Sequence, residues 1–224
     1  MRINRSRILA SLFVFVVSTQ FAAELVAGNQ YLWQTNAYGD DVHVIEVGSN
    51  KVIKRIVVGP EPHGIAAPDD ASVVYVAIEA FKKPQGELIW VNPRTYEVEH
   101  RLTIGPKPNQ LACTPDGKWV YVPCNDGHYW VIDGESRKVV EKIKTGGRPH
   151  NTQASRDGRW MYLSPMGNPR RVTIVDVRRA TRSPGTFHSR PRSGRRLSRP
   201  TTSATSRTLM GCSVLRSPTS RSAR

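Results

Sequence analysis

Short apolar runs, separated by turn residues, recur along the chain from about residue 29 to residue 177. Many of them are rich in aromatic and β-branched side chains, as in the run Trp119-Val120-Tyr121-Val122, and this composition favours β-strands. No segment in this part of the chain places its apolar positions at helical spacing. The pattern therefore predicts an all-β body.

The apolar runs belong to an internal repeat. One motif occurs three times at offsets of 46 and 41 residues, as GPEPH from Gly59, GPKPN from Gly105 and GGRPH from Gly146. Pairs of a tyrosine and a following aliphatic residue keep the same offsets, beginning at Tyr75, Tyr121 and Tyr162. A fixed period of about 40 residues that holds several short strands is typical of a β-propeller blade.

Each repeat predicts four strands. A small, apolar segment after Pro62, Pro108 or Pro149 suits a crowded inner strand. The second and third strands are aromatic and β-branched, and the fourth alternates partly and is expected to be the outer strand that touches solvent. The segment Pro115-Asp116-Gly117-Lys118 is predicted to form the turn between the first two strands of one repeat, because Gly accepts the positive φ that a tight turn requires. The equivalent segment Pro68-Asp69-Asp70 is followed by no glycine, which predicts a looser turn.

These motifs resemble the YVTN-repeat β-propeller family, of the quinoprotein amine dehydrogenase-like and haem d1-like propellers. The resemblance rests on Tyr75-Val76-Ala77, Tyr121-Val122-Pro123, the third-strand ending Val131-Ile132-Asp133 and the Pro-Asp-Gly-Lys turn. It implies four-stranded antiparallel blades in a ring of about seven. Residues 29–177 provide three to four blades, so the ring is expected to be incomplete. No segment after residue 177 is expected to supply an inner strand for the first blade.

The N-terminus has the pattern of a secretory signal peptide. Arg2, Arg5 and Arg7 precede an apolar run at residues 8–17, which is too short to span a bilayer. We expect residues 1–27 to direct export to the periplasm or the extracellular space, with no stable membrane span. An uncleaved anchor is the alternative.

Net charge is concentrated in the C-terminal tail. Of the 33 Lys and Arg residues, 12 are arginines in residues 178–224, which contain no acidic residue. The first 177 residues therefore carry 21 basic and 18 acidic side chains, a balance of +3, and no nucleic-acid partner is expected for them. The tail is predicted to be disordered, as an out-of-frame product. The alternative is a natural tail that binds nucleic acid or an anionic surface.

Three polar residues share one place in successive repeats, at the start of the inner strand: His63, Asn109 and His150. In a propeller they are expected to surround one mouth of the central channel and to bind a ligand there. His63 and His150 are also candidate ligands for a transition metal. The alternative is that all three cap strand ends beside water.

Other chemistry is sparse. Cys113 is predicted to face position 120 and Cys124 position 109, too far apart for a disulfide, and haem, zinc, P-loop and hydrolase motifs do not occur. The tryptophans are expected to lie between blades. The sequence favours an exported ligand-binding or interaction scaffold, with a small molecule or a protein at the channel mouth. It leaves enzyme activity open, as a metal-dependent oxidoreductase or lactonase-like hydrolase at the mouth. A cell-envelope structural propeller is a further alternative.

Overall fold

A computed structural model describes residues 30–168, 171–180 and 212–216. Its elements are fifteen strands and one short helix. In chain order they are β1 Gln30–Thr35, β2 Asp41–Glu46, β3 Lys51–Val57, β4 Pro62–Ala66, β5 Val74–Ile78, β6 Glu87–Val91, β7 Val98–Thr103, β8 Ala112–Cys113, β9 Trp119–Cys124, β10 His128–Asp133, β11 Lys138–Lys144, β12 Arg148–Ala154, β13 Trp160–Met166, β14 Thr173–Asp176, α1 Val177–Ala180 and β15 Cys212–Arg216.

The strands form four antiparallel sheets, each equivalent to one propeller blade. Blade 1 has the order β15-β1-β2-β3, blade 2 is β4 to β7, blade 3 is β8 to β11, and blade 4 is β12-β13-β14 with three strands. The body is therefore an incomplete β-propeller of four blades, as the repeat predicts. The predicted signal peptide and most of the predicted disordered tail lie outside the described residues.

The inner strand of blade 1 corrects one expectation. β15 pairs antiparallel with β1, from Gln30 opposite Arg216 to Gln34 opposite Cys212. It takes the place that β4, β8 and β12 hold in the other blades, and it contacts β4. The expectation that nothing after residue 177 supplies this strand is wrong. An unpaired strand edge presents a row of N–H and C=O groups, and a five-residue segment containing Val and Leu is sufficient to pair with them.

The hydrophobic core lies between successive blades. Opposite faces of β9 and β10 serve two interfaces: Val120 and Ile132 pack toward blade 2, while Tyr121 and Val131 pack toward blade 4. Trp33, Trp90 and Trp130 are buried in these interfaces as predicted, and Trp119 packs against one of them. Trp160 is instead half-buried beneath the guanidinium of Arg159.

Hydrogen bonds join blades 2 and 3 in addition to apolar packing. The hydroxyl of Tyr75 donates to the carbonyl of Gly117 at 2.8 Å, and Trp90 Nε1 donates to the carbonyl of Gly134 at 3.1 Å. A Cβ added at Gly134 would lie 2.3 Å from the carbonyl oxygen of Gly117 in the same blade and 2.5 Å from the hydroxyl of Tyr75 in blade 2. Glycine at position 134 is thus required by the neighbouring turn of blade 3 and by the approach of blade 2.

Candidate functional site

The predicted site residues stand where inner strands begin. His63 is the second residue of β4, His150 the third residue of β12, and Asn109 lies three residues before β8. A Cβ at Gly64 would lie 2.2 Å from the backbone oxygen of Asn109. The glycine after His63 therefore allows β4 to approach the backbone before β8, and it brings His63 and Asn109 to the same end of the blades.

A buried carboxylate connects two of the three predicted residues. Glu79 follows β5 and is 4% exposed. Its Oε2 lies 3.0 Å from Nδ1 of His63, and its Oε1 accepts a hydrogen bond from Nδ2 of Asn109 at 2.8 Å. Both carboxylate oxygens are thus engaged, as burial of an ionic group requires. We name these three residues the His63–Glu79–Asn109 cluster.

The cluster fixes the orientation of the imidazole. A carboxylate oxygen only accepts hydrogen bonds, so Nδ1 of His63 is the donor, and Nε2 of the neutral ring is left as an acceptor. The His63 side chain is 27% exposed. Its backbone carbonyl accepts a bond of 2.7 Å from the hydroxyl of Thr35 in blade 1. His63 is therefore held from both sides, with one ring nitrogen available to a ligand.

The polar groups of Asn109 form hydrogen bonds with other residues of the protein. Its Nδ2 donates to Glu79, and its Oδ1 accepts from the backbone N–H of Gln110 at 3.0 Å. Its own N–H donates to the carbonyl of Pro123. These bonds agree with a capping role and with the predicted position of Asn109 beside the segment that carries Cys124.

His150 has a different environment. Its Nδ1 lies 2.7 Å from Oδ1 of Asn151, and its backbone N–H donates to the hydroxyl of Tyr129 at 3.1 Å. It does not share the carboxylate that holds His63. The structure thus brings His63 and Asn109 together and places His150 in a separate arrangement one blade further along.

The thiols and the remaining histidines lie outside the cluster. Cys113 pairs with Val120, as predicted, and Cys113 and Cys124 are buried free thiols. Burial raises the pKa of Cys113 to about 12, which opposes formation of a nucleophilic thiolate. His43 lies in β2 near Asp41. His128 is the first residue of β10, and its Nδ1 is 3.0 Å from the carbonyl of Asp126.

Metal-binding groups are few in the part of the chain that the structure describes. No group of three or more His, Cys, Asp or Glu side chains is placed there to hold a metal ion. His63 and His150 belong to β4 and β12, and each of these strands contacts β8, which lies between them in the order of blades.

Left-handed backbone gathers beside the cluster. Seven non-glycine residues have positive φ in the part of the chain that the structure describes. Asn50, Tyr96 and Arg137 hold one repeat-equivalent place in the turn between the third and fourth strands, and Ala71 holds the place of Gly117 and Gly158 in the turn between the first two strands. The other three are Glu61 (φ 59°), Ala80 (φ 46°) and Lys107 (φ 46°). They lie next to Glu79 or two residues before His63 and Asn109. Such conformations cost about 1–2 kcal/mol for an L-residue.

An aromatic residue lies in the loop that follows Glu79. Phe81 is 45% exposed, and Lys107 Nζ lies 5.5 Å from the centroid of its ring. The backbone N–H of Phe81 donates to the carboxylate of Glu61. The backbone N–H of Glu79 donates to the backbone carbonyl of Glu61 at 3.0 Å. Hydrogen bonds and one ring contact thus connect Phe81 and Lys107 with the His63–Glu79–Asn109 cluster.

Sequence reasoning missed Glu79, although a signal was present. The residue comes directly after the uniformly apolar strand β5, and its repeat equivalents are the uncharged Asn125 and Met166. A charged residue that interrupts an otherwise uncharged repeat position indicates a local function or a specific partner. Here that partner is the imidazole at the start of the preceding strand.

A surface depression in blade 4 is separate from this cluster. It has a volume of about 390 Å³ and is lined by Gly147, Arg148, Met166, Gly167 and Asn168. None of these residues belongs to the cluster, and none has a buried ionic side chain. We therefore place the candidate site at the cluster around the buried carboxylate of Glu79 and not at this depression.

Comparison with known proteins supports the fold. Hydrazine synthase from Kuenenia stuttgartiensis superposes with a TM-score of 0.58 and 23% sequence identity, over 66% of this chain and 43% of that chain. The chain thus spans less than half the length of that protein, and the likeness concerns the β-propeller architecture. No family model and no curated protein sequence matches the chain. Within the described residues, no helix is long and apolar enough to cross a membrane.

Proposed function

We propose that this chain is part of an exported YVTN-type β-propeller that binds a small molecule or a protein at the inner-strand end of its blades. His63 is the group that meets the ligand. The observation that carries this proposal is the bond of 3.0 Å between Nδ1 of His63 and the buried carboxylate of Glu79. Glu79 positions the ring, and Asn109 stabilises Glu79.

The energetics of the cluster support a binding role. Burying a carboxylate is costly unless its oxygens are fully hydrogen-bonded. The buried carboxylate of Glu79 orients the imidazole of His63 through Nδ1 and leaves Nε2 for a ligand. A polar residue that only capped a strand end would not require a second, buried charge behind it. The left-handed backbone at Glu61, Ala80 and Lys107 adds strain at the same place, and such strain concentrates at functional sites.

Export rests on residues 1–27. Two features support a signal peptide: basic residues precede the apolar run, and no acidic residue occurs before Glu24. Fractionation of cells that express the full chain tests this part, with a variant carrying Leu12→Asp in the apolar run as the control. Export predicts a shortened product outside the cytosol for the parent and full-length cytosolic protein for the variant. Full-length cytosolic protein in both cases would remove export from the proposal.

A screen with an unbiased library of small molecules tests the binding role. Two-dimensional NMR of the full chain reports which backbone amides respond to each compound. The proposal expects hits that shift the amides of residues 63, 64, 79–81, 107 and 109 and that disappear in His63→Ala. His128→Ala is the matched control, because that histidine lies on another strand near Asp126, and it should retain the hits. Hits confined to other regions, or hits that survive His63→Ala unchanged, would contradict the proposal.

An enzyme at the same position is the second candidate, favoured by the same pair of residues. An imidazole whose Nδ1 donates to a carboxylate has the arrangement of a general base or a metal ligand. A hydrolase at this position would use water as the nucleophile, because Cys113 and Cys124 are buried and lie outside the cluster. Metal analysis of the purified chain and an assay with simple lactones test this candidate. Stoichiometric metal that falls in His63→Ala, or lactone turnover that falls in the same variant, would favour it over a scaffold.

A further inference from the structure

The loop after Glu79 presents an exposed aromatic ring beside the His63–Glu79–Asn109 cluster. Phe81 exposes 45% of its surface, and it lies two residues from Glu79, within a span of about 7 Å along the chain. Because the carboxylate of Glu79 also contacts His63, Phe81 and His63 lie at the same end of blade 2. Lys107 lies over part of the Phe81 ring, with Nζ 5.5 Å from its centroid.

The charges of this region are unequal. Lys82, Lys83 and Lys107 are exposed, while its two carboxylates are used within the protein. Glu79 is bonded by His63 and Asn109, and Glu61 accepts the N–H of Phe81. The three lysines exceed the two carboxylates by one charge, and the lysines are the exposed members of the group, so an incoming anion meets a positive local potential.

We propose that this surface, formed by His63, Phe81 and Lys107, binds small planar organic anions such as aromatic carboxylates. The exposed part of the Phe81 ring stacks against the flat part of the ligand. Lys107 attracts the carboxylate, and Nε2 of His63 completes the contact by hydrogen bonding. The inference rests on the proposed binding role of His63 and adds the chemical class of the ligand.

The backbone presents two of these side chains. Ala80, with φ 46°, directs the chain from the buried Glu79 to the exposed Phe81. Lys107 and Glu61 are both left-handed and hold the same place in the GPKPN and GPEPH motifs, so this turn of the repeat presents a lysine before Asn109 and a glutamate before His63.

Titration of the full chain by NMR with three probes tests the ligand class. Benzoate has the flat ring and the charge, benzamide has the ring without the charge, and cyclohexanecarboxylate has the charge without the flat ring. A ligand of this size is expected to bind with a Kd on the order of 1 mM. We expect benzoate to shift the amides of residues 63, 81 and 107, and to bind about fivefold or more tightly than either of the others.

Two variants assign the contacts. Lys107→Met should weaken benzoate binding about five- to tenfold and leave benzamide nearly unchanged, whereas Phe81→Leu should weaken both aromatic probes. Lys118→Met is the matched control, because Lys118 Nζ lies over another aromatic ring, that of Trp119, at 5.4 Å. It should bind benzoate as the parent chain does.

Three outcomes would overturn the inference: equal binding of benzoate and benzamide, equal binding of benzoate and cyclohexanecarboxylate, or equal effects of Lys107→Met and Lys118→Met. Failure of the inference is distinguishable from failure of the proposed function. If the unbiased screen gives only neutral or cationic hits that require His63, the binding role stands and the ligand class is wrong. If no compound requires His63, both are wrong.

Discussion

Nδ1 of His63 and Oε2 of Glu79 lie 3.0 Å apart, at the end of blade 2 where β4 begins and β5 ends. The contact crosses from β4 to the loop after β5, and the bond from Asn109 extends it to blade 3. A single buried carboxylate therefore orients a side chain of the candidate site and also joins two blades. Its removal should affect stability as well as binding.

We predict that Glu79→Ala lowers the free energy of unfolding by about 1–3 kcal/mol, because it leaves Nδ2 of the partly buried Asn109 without its acceptor and removes the bond to His63. Glu87→Ala is the control, since that carboxylate forms a surface ion pair with Arg101, and it should cost less than about 1 kcal/mol. Urea denaturation of both variants measures the difference. Equal losses would show that Glu79 contributes no more than a surface ion pair does.

The two repeat-equivalent tyrosines Tyr75 and Tyr121 predict opposite responses to loss of a hydroxyl. Tyr75 donates to the carbonyl of Gly117, whereas the hydroxyl of Tyr121 is buried with no hydrogen-bond partner in the described structure. Tyr75→Phe should cost about 1 kcal/mol, and Tyr121→Phe should be neutral or stabilising. Thermal unfolding of the two variants checks this prediction, and a larger loss for Tyr121→Phe would contradict it.

Most of the fold was predictable because the repeat makes each strand position visible several times. The pairing of Cys113 with position 120 and the three-strand extent of blade 4 both follow from this periodicity. The looser turn predicted at Pro68-Asp69-Asp70 is confirmed, because Pro68 has no N–H and cannot form the closing bond that Thr114 donates to the carbonyl of Trp119 in blade 3. One bond of the tighter turn is nevertheless kept. Ala71 has φ 50° and donates to the carbonyl of Pro68 at 3.0 Å, as Gly117 does to Thr114. Packing between blades holds alanine in a conformation that local preference favours only for glycine.

Asp41 predicts an acid-sensitive contribution to stability. Burial opposes ionisation of its carboxylate, but hydrogen bonds from Asn36 and Arg55 and the charge of Arg55 outweigh it, so the pKa of Asp41 lies below its usual value. A lowered pKa in the folded state stabilises the fold at pH values above about 4, and this stability is lost as the pH falls through the folded pKa. Asp41→Asn should therefore destabilise the chain at pH 7 and reduce the dependence of stability on pH below about 4. Urea unfolding curves recorded from about pH 2 to about pH 7 measure how the free energy of unfolding of each protein depends on pH. An unchanged acid limb would assign that limb to other groups.

The pair Tyr162 and Ile174 on blade 4 marks the face that has no further blade against it in the described structure. These residues are 36% and 45% exposed. Their equivalents on blade 3, Tyr121 and Val131, are 0% and 2% exposed beneath blade 4. Val131→Ala should cost about 2 kcal/mol, whereas Ile174→Ala should cost less than about 1 kcal/mol although it removes more atoms. Chemical denaturation of both variants tests this, and a larger loss at Ile174 would indicate that its side chain is covered in solution.

The candidate site was harder to predict than the fold. The repeat aligned His63, Asn109 and His150 at one position, but it carries no information on which neighbours each side chain contacts. The carboxylate that binds His63 is absent from the repeat pattern, since Glu79 has Asn125 and Met166 as its equivalents. Equivalence in sequence thus located the inner-strand end, while departure from equivalence determined which histidine has a buried partner.

β15 gives the last prediction, because it is the one described strand contributed by the predicted out-of-frame tail. Its backbone pairs with β1 from Gln30 to Gln34, so the amides of β1 that face it should exchange slowly with solvent. Deletion of residues 212–224 should expose that edge and accelerate hydrogen exchange in peptides covering β1. Peptides covering β5, which lies between β4 and β6, should exchange as before. If β1 exchanges equally fast in the full chain and in the shortened one, then the tail does not protect this edge in solution. Faster exchange in β1 alone would establish that a segment outside the repeat completes the first blade.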